Sequence, residues 1–283
     1  MSYADLHLHT TASDGRLSPR ALVRLAARKG IKVIAVTDHD STEGIDDALD
    51  EARFFPELTV IPGVEISTDV KDGEVHLLGY YVDHEDANFQ ALLARQRDSR
   101  EIRGQKMVAR LAELGIRISW QRVKELAGTG AVGRPHVAQA MLERGYVSSI
   151  PEAFNKYIGR TGPAYVEREK RTPPEATRII VEARGLPVLA HPADVPDLEE
   201  LVRRLVEAGL IGLEAYYGSY TEDTRHSLLE LVGRYGLIAT GGSDFHGFET
   251  QTELQPGAVD VPEETVRRLI EMAQQRARGL ARR

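Results

Sequence analysis

With 283 residues, 42% of them hydrophobic, the chain is long enough for a large core, either one α/β barrel or a barrel carrying an inserted lobe. It has no cysteine, which excludes disulfides and thiolate ligands and leaves nitrogen and oxygen to hold any metal. A formal net charge of −7 argues against a generic nucleic-acid coat, no stable binding of duplex nucleic acid is expected, and no run of eighteen apolar residues offers a membrane span. The N-terminal residues run into a strand pattern with no basic or apolar leader, so a cytoplasmic location is expected.

Ala4–His9 alternates and predicts a strand. Ser18-Pro19 opens a helix that stops at Gly30, with proline just inside the start and glycine just past the end. Val33–Thr37 is a continuous apolar run, as in a buried parallel strand. A helix is expected from Gly44 to Phe54. Two strands follow, Thr59–Ile66 and Val75–Val82, joined by a turn at Lys71-Asp72-Gly73. Later strands are expected at Pro187–Ala190, Ile211–Tyr216 and Leu237–Thr240, each followed by helix, with a last helix over Glu263–Arg278. Seven strands with mostly helical connections suggest a (β/α) barrel, in which chemistry gathers at the carboxyl ends of the strands.

Between these halves the strand rhythm stops. Helices are expected at Ser99–Leu114, Trp120–Leu126, Pro135–Arg144 and Ile150–Ile158, with glycine-rich breaks at Gly128–Gly133 and Gly159–Pro163. This gives three parts: barrel over 1–98, a helical insertion over the barrel mouth at 99–167, and barrel again over 168–283. The insertion holds 11 Lys+Arg against 6 Asp+Glu, while the rest of the chain holds 25 against 37. A basic segment in an acidic chain suits a lobe that meets an anion, although on charge alone a solvated, arginine-rich surface is the simpler account.

Six of the nine histidines fall at strand ends, mostly beside carboxylates. His7 and His9 are two apart on one strand, so both imidazoles share a face and can grip one cation. Asp14 follows shortly. Asp38-His39 closes the second strand and Glu65 the third, where an unpaired carboxylate would be costly to bury. His191 closes the Pro187–Ala190 strand, and Asp244-Phe245-His246 follows the last. His76 is the exception, near the start of its run. Any one of these is explained by an ordinary core or surface residue. Their repetition along the chain points to one polynuclear metal site. His84, in an acidic loop, and His226, in an expected helix, read as surface residues. Glu214, Tyr216 and Tyr217 end another strand, where packing accounts for the tyrosines as well as a pocket does.

The strings Asp5-Leu6-His7-Leu8-His9-Thr10 with Ser13-Asp14-Gly15, Thr37-Asp38-His39-Asp40, Pro62-Gly63-Val64-Glu65, Val75-His76-Leu77, Ala190-His191-Pro192 and Gly242-Ser243-Asp244-Phe245-His246 resemble, in order, the motifs of the polymerase and histidinol phosphatase (PHP) family. The resemblance spans nearly the whole chain. It implies a distorted (β/α)7 barrel with two or three divalent ions, of the Mn²⁺, Fe²⁺ or Zn²⁺ kind. It also implies three ligand sets: His7, His9, Glu65 and Asp244; the shared Glu65 with His76 and His191; and Asp14, His39 and His246. Asp14 stands where some members have histidine, which biases the third set toward harder ions.

Within the insertion, Gly133-Arg134-Pro135-His136-Val137-Ala138 and Gly162-Pro163-Ala164-Tyr165-Val166 resemble a subgroup of nucleoside 3′,5′-bisphosphate phosphatases and 5′-3′ exoribonucleases. The resemblance implies that Arg134 clamps a phosphate. Pro135, at a helix start, would aim free N–H groups at the same anion. His136 would bind phosphate or protonate the leaving oxygen. A departure stands at Gly162, where many members carry lysine. The expected activity is hydrolysis of a phosphate ester of a nucleotide, most simply a nucleoside 3′,5′-bisphosphate or a short 5′-phosphorylated RNA, by a hydroxide held between two metals. The alternatives are a histidinol-phosphate-type phosphatase, an amidohydrolase and a non-catalytic metal-stabilised module.

Overall fold

The computed structural model describes residues 2–70, 73–128, 130–167, 171–248 and 253–280. Seven strands form one sheet in chain order: β1 (Ala4–Leu8), β2 (Val33–Val36), β3 (Thr59–Val70), β4 (Gly73–Tyr80), β5 (Leu186–Leu189), β6 (Gly212–Tyr217) and β7 (Ile238–Gly242). The sheet curls until its edges meet. The N–H of Asp244 donates to the His7 carbonyl and the N–H of His9 to the Phe245 carbonyl, each at 3.0 Å. Gly242 permits this approach, since a Cβ there would collide with His7. The result is a nearly closed barrel surrounded by helices, as expected.

β1 to β3 run parallel, as do β5 to β7, but β4 is antiparallel to both neighbours. This reversal resolves the position of His76. In a strand that runs backwards, the first residues lie at the carboxyl end of the others, and His76 pairs with Ser67 near the end of β3. β3 is also longer than expected, running four residues past Ile66. With β4 it makes a hairpin that projects beyond the barrel mouth; Lys71 and Asp72 of the expected turn lie outside the described residues.

One apolar cluster joins residues of six strands, among them Leu6, Ala35, Ile61, Leu78, Val188 and Ile238, and fills the barrel. Outside it, α1 (Pro19–Arg28) and α2 (Ile45–Ala52) cover β1 to β3, and α7 (Pro173–Glu182), α8 (Leu198–Ala208) and α9 (Glu222–Tyr235) cover the other side. Ser18 caps α1 by accepting the Ala21 N–H, as its position before Pro19 leads one to expect. α10 (Glu263–Leu280) packs Val266 and Leu269 into the same cluster as the barrel interior.

The insertion has an apolar cluster of its own, from Met107 through Val137 and Met141 to Val166. It is built from α3 (Ala87–Glu113), α4 (Trp120–Ala127), α5 (Arg134–Glu143), α6 (Ile150–Ala153) and a π-turn at Phe154–Ile158. α3 begins twelve residues earlier than Ser99, capped by Asp86. The boundary expected at 98/99 therefore falls inside one continuous helix, whose first half packs Phe89 and Leu93 on the barrel and whose second half packs Met107 and Leu111 in the lobe.

Candidate metal centre

All nine histidine and carboxylate residues singled out at the strand ends converge on the barrel mouth. Glu65, 1% exposed, is the hub. Its Oε2 lies 3.1 Å from His7 Nε2, 3.2 Å from His9 Nε2 and 3.2 Å from His39 Nδ1. Its Oε1 lies 2.8 Å from His76 Nδ1 and 3.2 Å from His191 Nε2. Asp244 Oδ1 stands 3.3 Å from His7 Nε2 and 3.1 Å from His9 Nε2. Asp14 lies 3.5 Å from His246 Nε2 and 4.0 Å from His39 Nε2. His39 thus faces two ways, toward Glu65 with one nitrogen and toward Asp14 with the other.

Among the described residues, three groups bring candidate ligand atoms within 4.8 Å of one another, close enough to hold one ion each: His7, His9, Glu65 and Asp244; His9, Asp14, His39 and His246; and His39, Glu65 and His76. Protein partners alone do not satisfy this cluster. Both nitrogens of His9, Asp14 Oδ1, His39 Nδ1 and His76 Nδ1 are buried with no hydrogen-bond partner. Each such atom costs about 1–3 kcal/mol when left unpaired, a cost that a cation on the lone pairs removes. The donors are all imidazole nitrogen and carboxylate oxygen, a set that suits hard to borderline divalent ions.

Without an ion, the carboxylates and imidazoles lean on one another. Burial pushes Glu65 up, but His39, His7 and His76 outweigh it and hold the carboxyl well below its usual range. Asp14 and Asp244 are held down in the same way. Burial opposes charge on His9, yet the neighbouring carboxylates of Asp244 and Glu65 raise it to about 10, while burial drives His39 down to about 3. Three backbones at the site are strained: His191, Asp40 and Asp244 have φ of 27°, 49° and 54°. Non-glycine residues adopt such conformations where the surroundings over-determine them, commonly at functional sites.

Beside the cluster opens a cleft of about 170 Å³ between the barrel mouth and the lobe, lined by His39, His76, His246 and Asp14 on one side and by Arg100, Arg103, Arg134 and Phe154 on the other. Arg134 reaches this cleft but is engaged there. Its guanidinium pairs with Glu74 and lies over the Phe154 ring, 5.2 Å from the centroid. Arg103 meets the same carboxylate at 3.3 Å. Arg100 pairs with Asp40 at 2.6 Å and donates to Ser67 Oγ at 2.6 Å. The projecting β3–β4 hairpin is therefore the strut on which the lobe's arginines rest.

His136 is turned to a local task. Its Nδ1 accepts the Gly133 N–H at 3.0 Å, which leaves the proton on Nε2 and makes the ring a neutral donor. Burial lowers its proton affinity, and Arg16 and Arg100 add to this against Asp14. The α5 start offers fewer free donors than expected: the Gly133 N–H goes to His136 Nδ1, Pro135 has none, and the His136 N–H returns to the Gly133 carbonyl. Gly162 sits in a turn so tight that a Cβ would collide with the Tyr157 carbonyl.

A family model described as the PHP domain matches residues 5–158, more than half of the chain and including the motifs that carry His7, His9, Asp14, His39, Glu65 and His76. The chain belongs to the PHP domain family. It is 35% identical over 247 residues to the 5′-3′ exoribonuclease Rnm of Salmonella typhimurium, covering 86% of this chain and 84% of that protein. It is 33% identical over 258 residues to the 3′,5′-nucleoside bisphosphate phosphatase of Chromobacterium violaceum, covering 87% and 88%. Among solved structures, a protein of Bifidobacterium adolescentis predicted to be a metal-dependent phosphoesterase superposes with a TM-score of 0.88 at 29% identity, over 95% of this chain and 96% of that one.

Several residues of this PHP barrel that serve the site carried little signal of their own. Asp38 accepts the N–H and hydroxyl of Thr10 at 2.7 Å and the hydroxyl of Ser13 at 2.6 Å, which shapes the loop that carries Asp14. Asp5 accepts the N–H groups of Ser243 at 3.0 Å and Gly257 at 2.8 Å, tying β1 to the segment after β7. Arg100, Arg103 and Glu74 read as ordinary helix and strand charges. Tyr217 donates to Asp244 Oδ2 at 2.7 Å. The two remaining histidines stay outside: His84 pairs with Asp46 at 3.0 Å, and His226 is exposed beside Glu230. Among the described residues, no helix is long and apolar enough to cross a membrane.

Proposed function

We propose that this chain hydrolyses a phosphate ester of a nucleotide, most simply of a nucleoside 3′,5′-bisphosphate or of a short RNA bearing a 5′-phosphate. The observation that carries the reading is the juxtaposition of a carboxylate–imidazole cluster, with five orphaned ligand atoms, and a cleft lined by three arginines. The relatives named as an exoribonuclease and a bisphosphate phosphatase support the same class.

Two or three divalent ions, of the Mn²⁺, Fe²⁺ or Zn²⁺ kind, fit the donors. His7, His9, Glu65 and Asp244 would hold the first, Glu65, His76 and His191 the second, and Asp14, His39 and His246 the third. His39 is near enough to Glu65 to exchange between sets. Such ions supply an activated water at neutral pH and neutralise charge on the phosphoryl oxygens. The chain's own groups do the rest. Arg134 and Arg103 orient the phosphate by paired N–H donors, once it displaces or joins Glu74. His136, buried beside the cleft rather than lining it, shapes the start of α5 by accepting the Gly133 N–H and so positions Arg134. Phe154, in the same cleft, holds the Arg134 guanidinium over its ring and adds an apolar wall beside it for a base or sugar.

The test is phosphate release with Mn²⁺ from nucleoside 3′,5′-bisphosphates, short 5′-phosphorylated RNAs and histidinol phosphate. Turnover of either nucleotide class supports the reading. Release from histidinol phosphate alone, or cleavage of amides and not of phosphoesters, overturns it.

A further inference from the structure

We propose that Glu214 is a positioning residue that fixes two histidines in neighbouring ligand sets, His7 and His191, and so sets the ion affinity of both sets together. The inference rests on the metal-dependent reading above. β6 supplies none of the nine cluster residues, yet it buries a carboxylate, fully shielded, in its middle. A buried carboxylate has to be paired, and Glu214 is paired with the back of the cluster.

Both of its oxygens lie 3.1 Å from His7 Nδ1. A carboxylate only accepts, so the His7 proton sits on Nδ1. Nε2 is then the nitrogen turned toward Glu65 Oε2 at 3.1 Å and Asp244 Oδ1 at 3.3 Å, and it offers its lone pair there to an ion that replaces its proton. Glu214 Oε2 also accepts the backbone N–H of His191 at 2.8 Å. That bond braces the residue whose φ is 27°, and the braced backbone aims His191 Nε2 at Glu65 Oε1. At the end of the same strand, Tyr217 holds Asp244 by Oδ2 and leaves Oδ1 facing His7 and His9. β6 thus touches no ion position but orients a member of each set that shares Glu65. A carboxylate behind an imidazole also raises its basicity as a ligand, and losing such a partner weakens metal binding about 10–100-fold.

The experiment is competition titration of Mn²⁺ against a chelator, with elemental counting of bound ions, on the full chain and on Glu214→Gln, which keeps the shape and removes the charge. The expected result is a loss of about 10–100-fold in affinity for the ions held with Glu65, both together, while the ion at Asp14, His39 and His246 keeps its affinity. A purely structural Glu214 would show itself as a lower melting temperature of metal-free E214Q with wild-type Mn²⁺ affinity at every site, and that result overturns the proposal. If E214Q does not fold, Glu214→Asp retains the charge but withdraws it by one methylene. A loss of roughly tenfold supports the proposal and unchanged affinity overturns it. Failure of the wild-type chain itself to take up Mn²⁺ overturns the metal-dependent reading and this inference with it, and is told apart from uptake that the variant leaves intact.

Discussion

The barrel mouth and the helical lobe meet at one cleft, yet they are built on opposite plans. At the mouth, charged groups are buried, rigidly spaced and left with orphaned lone pairs, as in the five ligand atoms on His9, Asp14, His39 and His76. In the lobe, the charges that reach the cleft are already paired: Arg134 and Arg103 with Glu74, and Arg100 with Asp40. The first arrangement suits a divalent cation. The second is an ion-pair network, three guanidiniums with Glu74 and Asp40, that an anionic group can enter by exchange. This division suggests that the barrel sets the chemistry and the lobe sets the substrate, and each half of that statement can be broken separately.

The largest effect is expected at the mouth. His9→Ala or Asp244→Ala removes a candidate ligand from the group around Glu65 and should lower kcat by about 10³-fold or more, since several kcal/mol of transition-state stabilisation is lost. The fold should survive, because the barrel interior is held by the apolar cluster around Leu6, Ile61 and Val188. Arg134→Ala should act differently: kcat/KM falls by about 10²-fold, the loss expected for one desolvated charged contact, with bound metal unchanged. Steady-state kinetics beside circular dichroism and metal counting check both. A loss of metal in the Arg134 variant, or full activity in the Asp244 variant, would break the division.

A smaller effect sharpens it. Glu74 occupies the arginine pair as a phosphate would. Glu74→Gln should free Arg134 and Arg103, lower KM for a bisphosphate by up to about tenfold, and steepen the dependence of KM on salt. If KM rises instead, Glu74 is holding the arginines in place for substrate rather than competing with it.

The same contrast governs what could be read from the sequence. Seven of the cluster residues were visible because strand-end residues are locally coded: an apolar run, then His, Asp or Glu. His76 was visible as a residue but not as part of the mouth. Alternation reveals a strand and not its direction, and only the antiparallel pairing of β4 brings His76 to the ligand end. The lobe was less legible. α3 buries Phe89 and Leu93 on the barrel and then Met107 and Leu111 in the lobe, so its apolar face changes partner midway and no single helical stripe marks its start. Glu74, Arg100, Arg103 and Glu214 act through partners far along the chain, such as the 207 residues between His7 and Glu214, and a distance of that kind leaves no trace in spacing. Arg134 was legible as a cation, but its pairing with Glu74 was not.

The smallest expected effect concerns pH, and it separates the cluster with ions from the cluster without. In the chelated protein, Glu65, Asp14 and Asp244 are held below their usual range by the imidazoles, so their contribution to stability is present above about pH 4 and is lost as the pH falls through their lowered values. His7 is raised, and His9 is raised to about 10, so their contribution is full below about pH 6.5 and fades as the pH rises toward 10. The metal-free chain should therefore melt a few degrees higher at pH 6 than at pH 8.5, since each kcal/mol moves the melting temperature of a domain of this size by about 2–4 °C. Ions need the same lone pairs free of protons, so their stabilisation grows as the pH rises. Saturating Mn²⁺ should cancel or reverse the decline. Differential scanning calorimetry with and without chelator checks the pair of curves. A chelated protein that melts higher at pH 8.5 would mean that the mouth is not held together by imidazolium–carboxylate pairs when the ions are gone.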